Sequence, residues 1–271
     1  MKLNRFNRNF ELIISLKSGD LVISEPFRVQ FDATKTIKRD LNKATIKIYN
    51  LSKEKYSELR KDEGQKTYLK VALSVGYDTL GVVFQGNIHD SEIRREGADI
   101  VTTLYCLDGG FDFLNSFTSK TVTSKREVVN AVLNDMPNTS KGKITTQKPT
   151  LRPKVLVGSS VKILEKNLQQ NEDFFIDGEK LHILKTNEVI SNFIAVVDSE
   201  SGLLTTPSIS EKKVNFETLF NPLLKVGGLC ELNTIFEPSM NGVYKIETII
   251  YKGDNFGDEW SQTVVCERYN N

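Results

Sequence analysis

Strict alternation of apolar and polar residues is the feature that most constrains the fold of this chain. The stretch "ATIKIY" places Ala44, Ile46 and Ile48 on one face and polar side chains on the other, and stretches 27–31 and 68–77 follow the same pattern. A period of two predicts strands that bury one face and leave the other in water. The pattern returns after about residue 200, so both ends of the chain are predicted to be mainly β-sheet.

The middle of the chain has a different pattern, in which apolar residues follow helical spacing. Ser124 and Glu127 form a capping box at the start of one such stretch, and a hairpin turn is predicted at Asp177–Gly178. We therefore predict a β-rich α+β fold, in which two similar β-barrel domains flank a small mixed α+β middle region. The predicted boundaries are residues 1–110 for the first β-barrel domain, 111–200 for the middle region and 201–271 for the second β-barrel domain.

A weak internal repeat favours two similar β-domains. Its members have the same spacing in each half of the chain: Gly97, Thr103 and Cys106 in the first, and Gly257, Thr263 and Cys266 in the second. Internal self-similarity indicates a duplicated structural unit. The repeat therefore predicts a β-hairpin of the same design in each β-domain.

Composition excludes several classes of function. The 36 Lys and Arg residues nearly balance the 35 Asp and Glu residues, so no basic field marks the chain as a nucleic-acid binder. No apolar run approaches the roughly 20 residues that a membrane helix requires, which predicts no membrane insertion. The cysteines at positions 106, 230 and 266 lack the spacing of zinc sites or disulfide frameworks and are predicted to be buried thiols.

The segment "GDNFGDEW", residues 253–260, contains three carboxylates and raises the question of a metal or catalytic site. An EF-hand loop beginning at Asp254 would have Phe256 at its third position, where an oxygen ligand is required. A catalytic carboxylate pair would need supporting groups that this segment lacks. We therefore predict a turn between two strands, with Gly253 and Gly257 at positive φ and the acidic residues at a solvated tip.

The two histidines offer no better candidate for a reactive site. His182 alternates with apolar neighbours on a short strand and His89 ends another, far away along the chain. Without clustered partners, both are predicted to be solvent-facing strand residues. No catalytic, cofactor-binding or metal-binding residue is predicted, and the chain is expected to act through its surfaces rather than as an enzyme.

Several motifs, in order along nearly the whole chain, resemble the central baseplate hub proteins of tailed bacteriophages. They include "IYNLS" (48–52), "GYDTLGVVFQG" (76–86) and "NGVYKIETIIYKGDNFGDEW" (241–260). In the first of these, Ser52 is also predicted to cap a short helix. The positions that match the family pattern, all expected to be structural, are Asn50, Leu51, Ser52, Gly76, Tyr77, Phe84, Gly86, Asp108, Gly109, Gly202, Pro207, Asn221, Pro222, Tyr244, Gly253, Asp254 and Trp260.

The resemblance implies a structural part of the virion that assembles in the cytoplasm of the host bacterium. Hubs of this kind are homotrimeric rings in which each subunit contributes two related β-barrel domains, so that six similar domains face the tail tube while a threefold spike sits on the other side. The implied partners are tail tube or distal tail proteins, the central spike protein and the tape-measure protein. Viral DNA would pass through the lumen without specific binding, and we expect a neutral or acidic lumen with the lysines facing outward, because basic walls would retain phosphates.

Two other functions remain open at this stage. One is a tail-tip cell-wall hydrolase that uses carboxylates such as Glu92, Glu96 or Asp99. The other is a carbohydrate-binding tail adhesin, which usually needs exposed aromatic side chains. The single tryptophan, Trp260, is expected to pack near a turn and gives this reading little support.

Overall fold

The computed structural model describes residues 7–59, 68–77, 79–145, 150–211 and 213–269. Alternating strands dominate the first part of the chain, as their period-two pattern predicts. The elements there are β1 (Asn9–Leu16), β2 (Gly19–Ile23), β3 (Val29–Thr36), β4 (Lys43–Tyr49), α1 (Lys53–Leu59), β5 (Lys70–Gly76), β6 (Leu80–Glu96) and β7 (Asp99–Leu107).

The middle of the chain is a mixed α+β region with its own apolar core. Its elements are α2 (Gly110–Asn115), β8 (Phe117–Ser124), α3 (Lys125–Asn134), β9 (Ser140–Ile144), β10 (Thr150–Ser159), α4 (Ser160–Asn167), β11 (Glu172–Ile176) and β12 (Lys180–Lys185). Strand β8 pairs with β10, and β12 lies between β11 and β9 in a second small sheet. The apolar faces of α3 and α4 pack with these strands around a core separate from that of the large sheet.

Strands return in the last part of the chain. The elements there are β13 (Ile194–Val197), β14 (Ser208–Ser210), β15 (Lys213–Thr218), β16 (Leu229–Leu232), a 3-10 helix (Pro238–Met240), β17 (Gly242–Asp254) and β18 (Trp260–Arg268). They belong to the same large sheet as the first strands. Its order is β14-β15-β18-β17-β3-β4-β7-β6-β5-β1-β2, with β16 on β17 and β13 on β16.

This sheet is continuous through both ends of the chain and covers one extended core. The strand pairings among the described residues contain no closed barrel. The prediction of a mainly β-sheet protein is therefore confirmed, whereas closure of two barrels stays a prediction.

Two parts of the sheet have the same topology. We call β3–β7 the N-terminal unit and β14–β18 the C-terminal unit. The strand order is β3-β4-β7-β6-β5 in the N-terminal unit and β14-β15-β18-β17-β16 in the C-terminal unit. Numbered along the chain, each order is 1-2-5-4-3, and every neighbouring pair in both units is antiparallel.

The registers of the two units also correspond, at the place that the sequence repeat indicated. Cys106 lies opposite Ile88, and Cys266 lies opposite Ile246. Directly after each isoleucine, the strand has a one-residue bulge, at His89 in β6 and at Glu247 in β17. Bulges tend to be kept as designed features of a fold. The spacing repeat therefore coincides with a shared hairpin geometry.

Local capping follows the sequence closely at two helix starts. The Ser52 hydroxyl accepts a hydrogen bond from the backbone N–H of Lys55, at 3.3 Å, at the start of α1. The Ser124 hydroxyl accepts one from the backbone N–H of Glu127, at 3.2 Å, at the start of α3. Both helices thus begin where their N-cap residues predict.

The β11–β12 hairpin differs from its prediction in two details. Its central turn residues are Gly178 and Glu179, both at positive φ, one position later than predicted. The prediction of a solvent-facing His182 is wrong, because β12 is the central strand of its small sheet. His182 is buried, stacks on Phe175 with ring centroids 5.1 Å apart, and accepts a hydrogen bond from the Lys143 backbone N–H. Burial lowers the pKa of His182.

Candidate functional site

The two units meet along β17, which changes partner along its length. Its first residues, Gly242–Lys245, pair with β16 inside the C-terminal unit. After the bulge, Thr248–Asp254 pairs with β3 of the N-terminal unit. We call this contact between β17 and β3, together with the loop after β17, the junction. Several family-motif positions meet there, so it is the candidate functional site.

Asp254 at the end of β17 connects the units by an ion pair. Its carboxylate accepts hydrogen bonds from the Arg28 guanidinium, at 3.2 Å to Nε and 2.7 Å to Nη2, and from the Phe256 backbone N–H at 3.0 Å. Burial alone would raise the pKa of Asp254, but these donors outweigh it and lower the pKa below its ordinary value. The Asp254 carboxylate therefore stays ionised, and its ion pair with Arg28 links the two units.

Asn255 links the loop after β17 to the backbone beside β3 by two further hydrogen bonds. Its side-chain oxygen accepts from the Val29 N–H at 2.7 Å, and its side-chain nitrogen donates to the Phe27 carbonyl at 3.0 Å. The loop is thus a turn between two strands, as expected, but Asp254 is buried in a contact rather than solvated at a tip. The predicted positive φ at Gly253 and Gly257 is also wrong, since neither adopts it.

An aromatic cluster fills the space beneath the junction. Phe31 of β3 packs against Trp260, with ring centroids 5.6 Å apart in an edge-to-face arrangement, and against Phe220 at 5.9 Å. Phe220 in turn meets Trp260 at 5.2 Å and Tyr251 at 6.3 Å. Gly253 is required here because a Cβ atom would lie 2.4 Å from the Phe31 ring. Offset and edge-to-face rings stabilise such clusters beyond their buried area.

Two further contacts bring motif residues of both units together. The Tyr77 hydroxyl, from the N-terminal unit, donates to the backbone carbonyl of Trp260 at 3.4 Å. Pro222 of the C-terminal unit lies so close to Gly81 that a Cβ there would be 2.3 Å from the proline Cβ. The two units are therefore in direct contact on both sides of the aromatic cluster.

A buried polar cluster attaches the middle region to the sheet. The Asp108 carboxylate accepts from the backbone N–H groups of Gly178 and Glu179, at 2.7 and 2.8 Å. Asn42 donates to the Ile176 carbonyl at 2.8 Å. The turn of the β11–β12 hairpin is therefore held against the N-terminal unit by hydrogen bonds to the buried Asp108 and Asn42 side chains.

The charges in this cluster influence one another. Burial raises the pKa of Asp108 to about 6, and the nearby Asp177 adds to the effect, while the two N–H donors and Lys35 oppose it. Burial alone would lower the pKa of Lys35, but its ion pair with Asp177, at 2.8 Å, outweighs burial and raises the pKa. These contacts hold a hairpin in place, and nothing in them exposes a reactive group.

The remaining motif positions are spread through the fold. Asn50 has positive φ, and its side chain accepts from the Ile100 N–H at 3.0 Å and donates to Asp99 at 2.9 Å, which ties the start of α1 to the β6–β7 hairpin. Asn221 and Pro222 form a turn. The buried positions are Leu51, Gly76, Phe84, Gly86, Gly109, Gly202, Pro207 and Tyr244.

Sequence reasoning missed the partners that complete the junction. Arg28 carries no local motif and lies 226 positions from Asp254, and Asn255 lies in a quoted segment but was given no role. Phe31 was placed on the apolar face of a strand, but its aromatic partners come from the other end of the chain. A signal that could have found them is the sequence Gly253-Asp254 at the end of a long strand, where a glycine and a carboxylate follow the alternating pattern.

The carboxylates proposed for a hydrolase are not arranged for catalysis. Glu92 accepts hydrogen bonds from the Tyr105 hydroxyl, at 2.7 Å, and from Arg94, and these lower its pKa. A general acid requires the opposite shift. Glu96 and Asp99 face each other at the end of an exposed hairpin. Within the described ranges, no group of three His, Cys, Asp or Glu residues could hold a metal ion, and no helix is long and apolar enough to span a membrane.

Solved structures identify the class to which this fold belongs. The 43 kDa tail protein of prophage MuSo2 from Shewanella oneidensis matches with a TM-score of 0.68 and 9% identity, over 95% of this chain and 96% of that one. A tail protein from Neisseria meningitidis matches with a TM-score of 0.67 and 8% identity, over 96% of each chain. An Escherichia coli type VI secretion component, described as similar to the T4 tail proteins gp27 and gp5, matches with a TM-score of 0.65 and 8% identity, over 95% of this chain and 77% of that one. The shared property is the fold of a tail protein.

The family comparison is more specific. The model of the family described as "Baseplate hub gp41" matches residues 10–266, so the chain belongs to this family of baseplate hub proteins. Among curated protein sequences, no relative matches. The family is one of baseplate hub proteins, which are structural proteins rather than enzymes, and the chain accordingly has a structural role in a phage tail.

Proposed function

We propose that three copies of this chain form the ring at the centre of a phage baseplate, where the ring connects the tail tube to the central spike. The observation that carries this proposal is the matching strand order and register of the N-terminal and C-terminal units. Three chains with two similar units each would present six similar surfaces to a sixfold tube. The same trimer would present a threefold surface to a spike.

The domain organisation follows from this arrangement. Residues 1–110 and 201–271 would each supply one β-barrel of the ring, and residues 111–200 would form the small domain attached to it. Barrel closure would come from strands that pair when the ring assembles. The junction supports this layout because its ion pair and aromatic cluster fix the angle between the units of one chain.

The ring would surround the path of the viral DNA and of the tape-measure protein. Near-neutral net charge, +1 over the whole chain, fits a passage that does not retain phosphates. We expect lumen walls without lysine or arginine rows, and contacts with tail tube or distal tail proteins on one face and with the spike on the other. Assembly would take place in the host cytoplasm, and the finished ring would be part of the virion.

Electron microscopy of the purified protein tests this proposal. Negative-stain class averages are expected to show rings with three or six lobes and an open centre, and light scattering is expected to give the mass of a trimer. Monomers at every concentration, both alone and with the spike protein, would overturn the ring. Rings with a different number of lobes would contradict the proposal that the ring joins a sixfold tube to a threefold spike.

A further inference from the structure

The β6–β7 hairpin of the N-terminal unit and the β17–β18 hairpin of the C-terminal unit differ in one respect. They differ in which strand lies against the outer edge of the hairpin. In the C-terminal unit, the part of β17 after the bulge pairs with β3. In the N-terminal unit, the part of β6 after the bulge is Asp90–Glu96, and it pairs with β7 on one side. Among the described residues, no strand pairs with its other side. Among the described residues, this half of β6 is therefore an edge without a strand partner, where β17 makes the junction, and the end of α1 touches it only through the hydrogen bond from the Ser91 hydroxyl to the Leu59 carbonyl, at 3.3 Å.

The backbone of this β6 edge is directed outward for pairing. The turn at Gly97 closes on the pair Glu96 and Asp99. In a two-residue hairpin, the closing pair exchanges both hydrogen bonds, and residues then alternate between the two sides. Counting back, Ile93 and Arg95 direct their N–H and C=O groups to the open side. The edge thus offers a row of donors and acceptors, which is a template for another strand.

Register identifies the residue of β17 that corresponds to Ile93. Asp90 and Thr248 each lie opposite the residue that precedes the repeat cysteine, Cys106 or Cys266. Three positions further along, Ile93 in β6 corresponds to Tyr251 in β17. In the junction, Tyr251 lies opposite Ala33 of β3.

The same register identifies a second open edge, on β14. Ala44 and Val214 lie opposite the two repeat cysteines. On the next strand outward, Ala33 lies opposite Ala44, and Ile209 lies opposite Val214. Strand β14 thus corresponds to β3, and Ile209 corresponds to Ala33. Within the part of the chain that the structure describes, β14 ends the sheet and has no strand on its outer side.

Each of the two edges is mainly polar but carries one exposed isoleucine, at the position where the junction has a buried side chain. In the junction, Tyr251 is 5% exposed and Ala33 is fully buried. At the open edges, Ile93 is 39% exposed and Ile209 is 62% exposed. Pairing of the two edges would bury these two isoleucines against each other, as the junction buries Tyr251 opposite Ala33. Since one edge corresponds to β17 and the other to β3, each is the partner that the other lacks.

We propose that residues Asp90–Glu96 of one copy pair antiparallel with β14 of the next copy, with Ile93 opposite Ile209. This contact between copies would repeat the junction between β17 and β3 within each copy. The contact joins two different edges, so it is a head-to-tail contact between copies. Such contacts close a ring only if every copy is rotated relative to its neighbour by the same whole fraction of a full turn. The proposal rests on the trimeric ring of the proposed function and assigns the strands that hold it together.

A cysteine pair tests the proposed register. In an antiparallel pair of this kind, Cα atoms lie about 5.5 Å apart, within the range that a disulfide bridges. The double variant Ile93→Cys with Ile209→Cys is oxidised mildly and run on a non-reducing denaturing gel. We expect covalent dimers and trimers that disappear on reduction. The matched control is Ile93→Cys with Ser210→Cys, in which the second thiol is on the opposite face, and we expect at least a tenfold weaker cross-link.

The remaining outcomes separate this inference from the ring itself. The wild type and each single variant are expected to stay uncross-linked, because the native cysteines are buried. A trimer by light scattering that does not cross-link through positions 93 and 209 would overturn the strand assignment and leave the ring intact. Equal cross-linking in the register control would also overturn the assignment. A protein that stays monomeric at all concentrations would overturn both the ring and this interface.

Discussion

Replacing Phe31 with alanine tests whether the junction holds the two units together. Phe31 is 3% exposed, and its ring contacts Trp260 and Phe220 of the other unit. Truncation of a buried Phe to Ala costs about 3–5 kcal/mol, because apolar contacts are lost and a cavity remains. We expect a loss near the middle of that range, about 4 kcal/mol, in the free energy of unfolding.

The assay is urea denaturation, followed by tryptophan fluorescence and by far-UV circular dichroism. Trp260 lies in the cluster, so fluorescence reports on the junction while circular dichroism reports on the whole chain. The matched control is Phe256→Ala, because that side chain is 67% exposed in the same loop, and we expect it to change stability by no more than about 0.5 kcal/mol. A loss below about 1.5 kcal/mol for Phe31→Ala, or equal losses for both variants, would refute the reasoning.

Two further predictions follow from the same contacts. Gly253→Ala places a methyl group against the Phe31 ring and should cost about 1–3 kcal/mol by overpacking; thermal unfolding measures it, with the exposed Lys252→Ala as control, and an unchanged midpoint would contradict it. Burial raises the pKa of Asp108 to about 6, above its ordinary 3.8, so its contribution to stability is fully present below about pH 3.8 and is lost as pH rises through 6. The stability of the wild type relative to Asp108→Asn should therefore fall by up to about 3 kcal/mol between pH 4 and pH 7, measured by denaturation at each pH; a relative stability that is flat or rises with pH would contradict it.

Local sequence patterns predicted the strands and helix starts well, because the information they need lies within a few residues. The alternation at Ala44, Ile46 and Ile48 marks β4, whose apolar side chains are all buried. The capping residues Ser52 and Ser124 mark α1 and α3. Capping hydrogen bonds and side-chain periodicity involve only residues close together in the chain, so a single sequence is enough to predict them.

Features that depend on distant partners were not predictable in this way. Asp254 reads as a solvated turn residue until Arg28, from the far end of the chain, is placed beside it. His182 has the alternation of a half-exposed strand, but its strand lies between two others. The need for glycine at position 253 comes from a ring above it and not from its own backbone conformation. In each case the deciding neighbour is set by topology, which a single sequence shows only weakly.

The spacing repeat was predictable in part, because its residues are visible in the sequence but the sheet around them is not. Matching Gly, Thr and Cys positions were visible in the sequence, and the structure shows that they mark hairpins with the same bulge. The strand order of the two units could not be read from that spacing, because it depends on which edges meet. The repeat predicted a shared hairpin in each unit, but it did not predict the order of the strands around that hairpin.

The pairing of β3 with β17 has a consequence for synthesis of the chain on the ribosome. Strand β3 is made more than 200 residues before its partner Thr248–Asp254. At bacterial translation speeds of about 5–20 residues per second, β3 would wait roughly ten to forty seconds for that partner. During this interval the nascent chain has an open edge that competes for strands of other nascent chains. The risk of wrong pairing between neighbouring nascent chains would therefore last until β17 is made and pairs with β3.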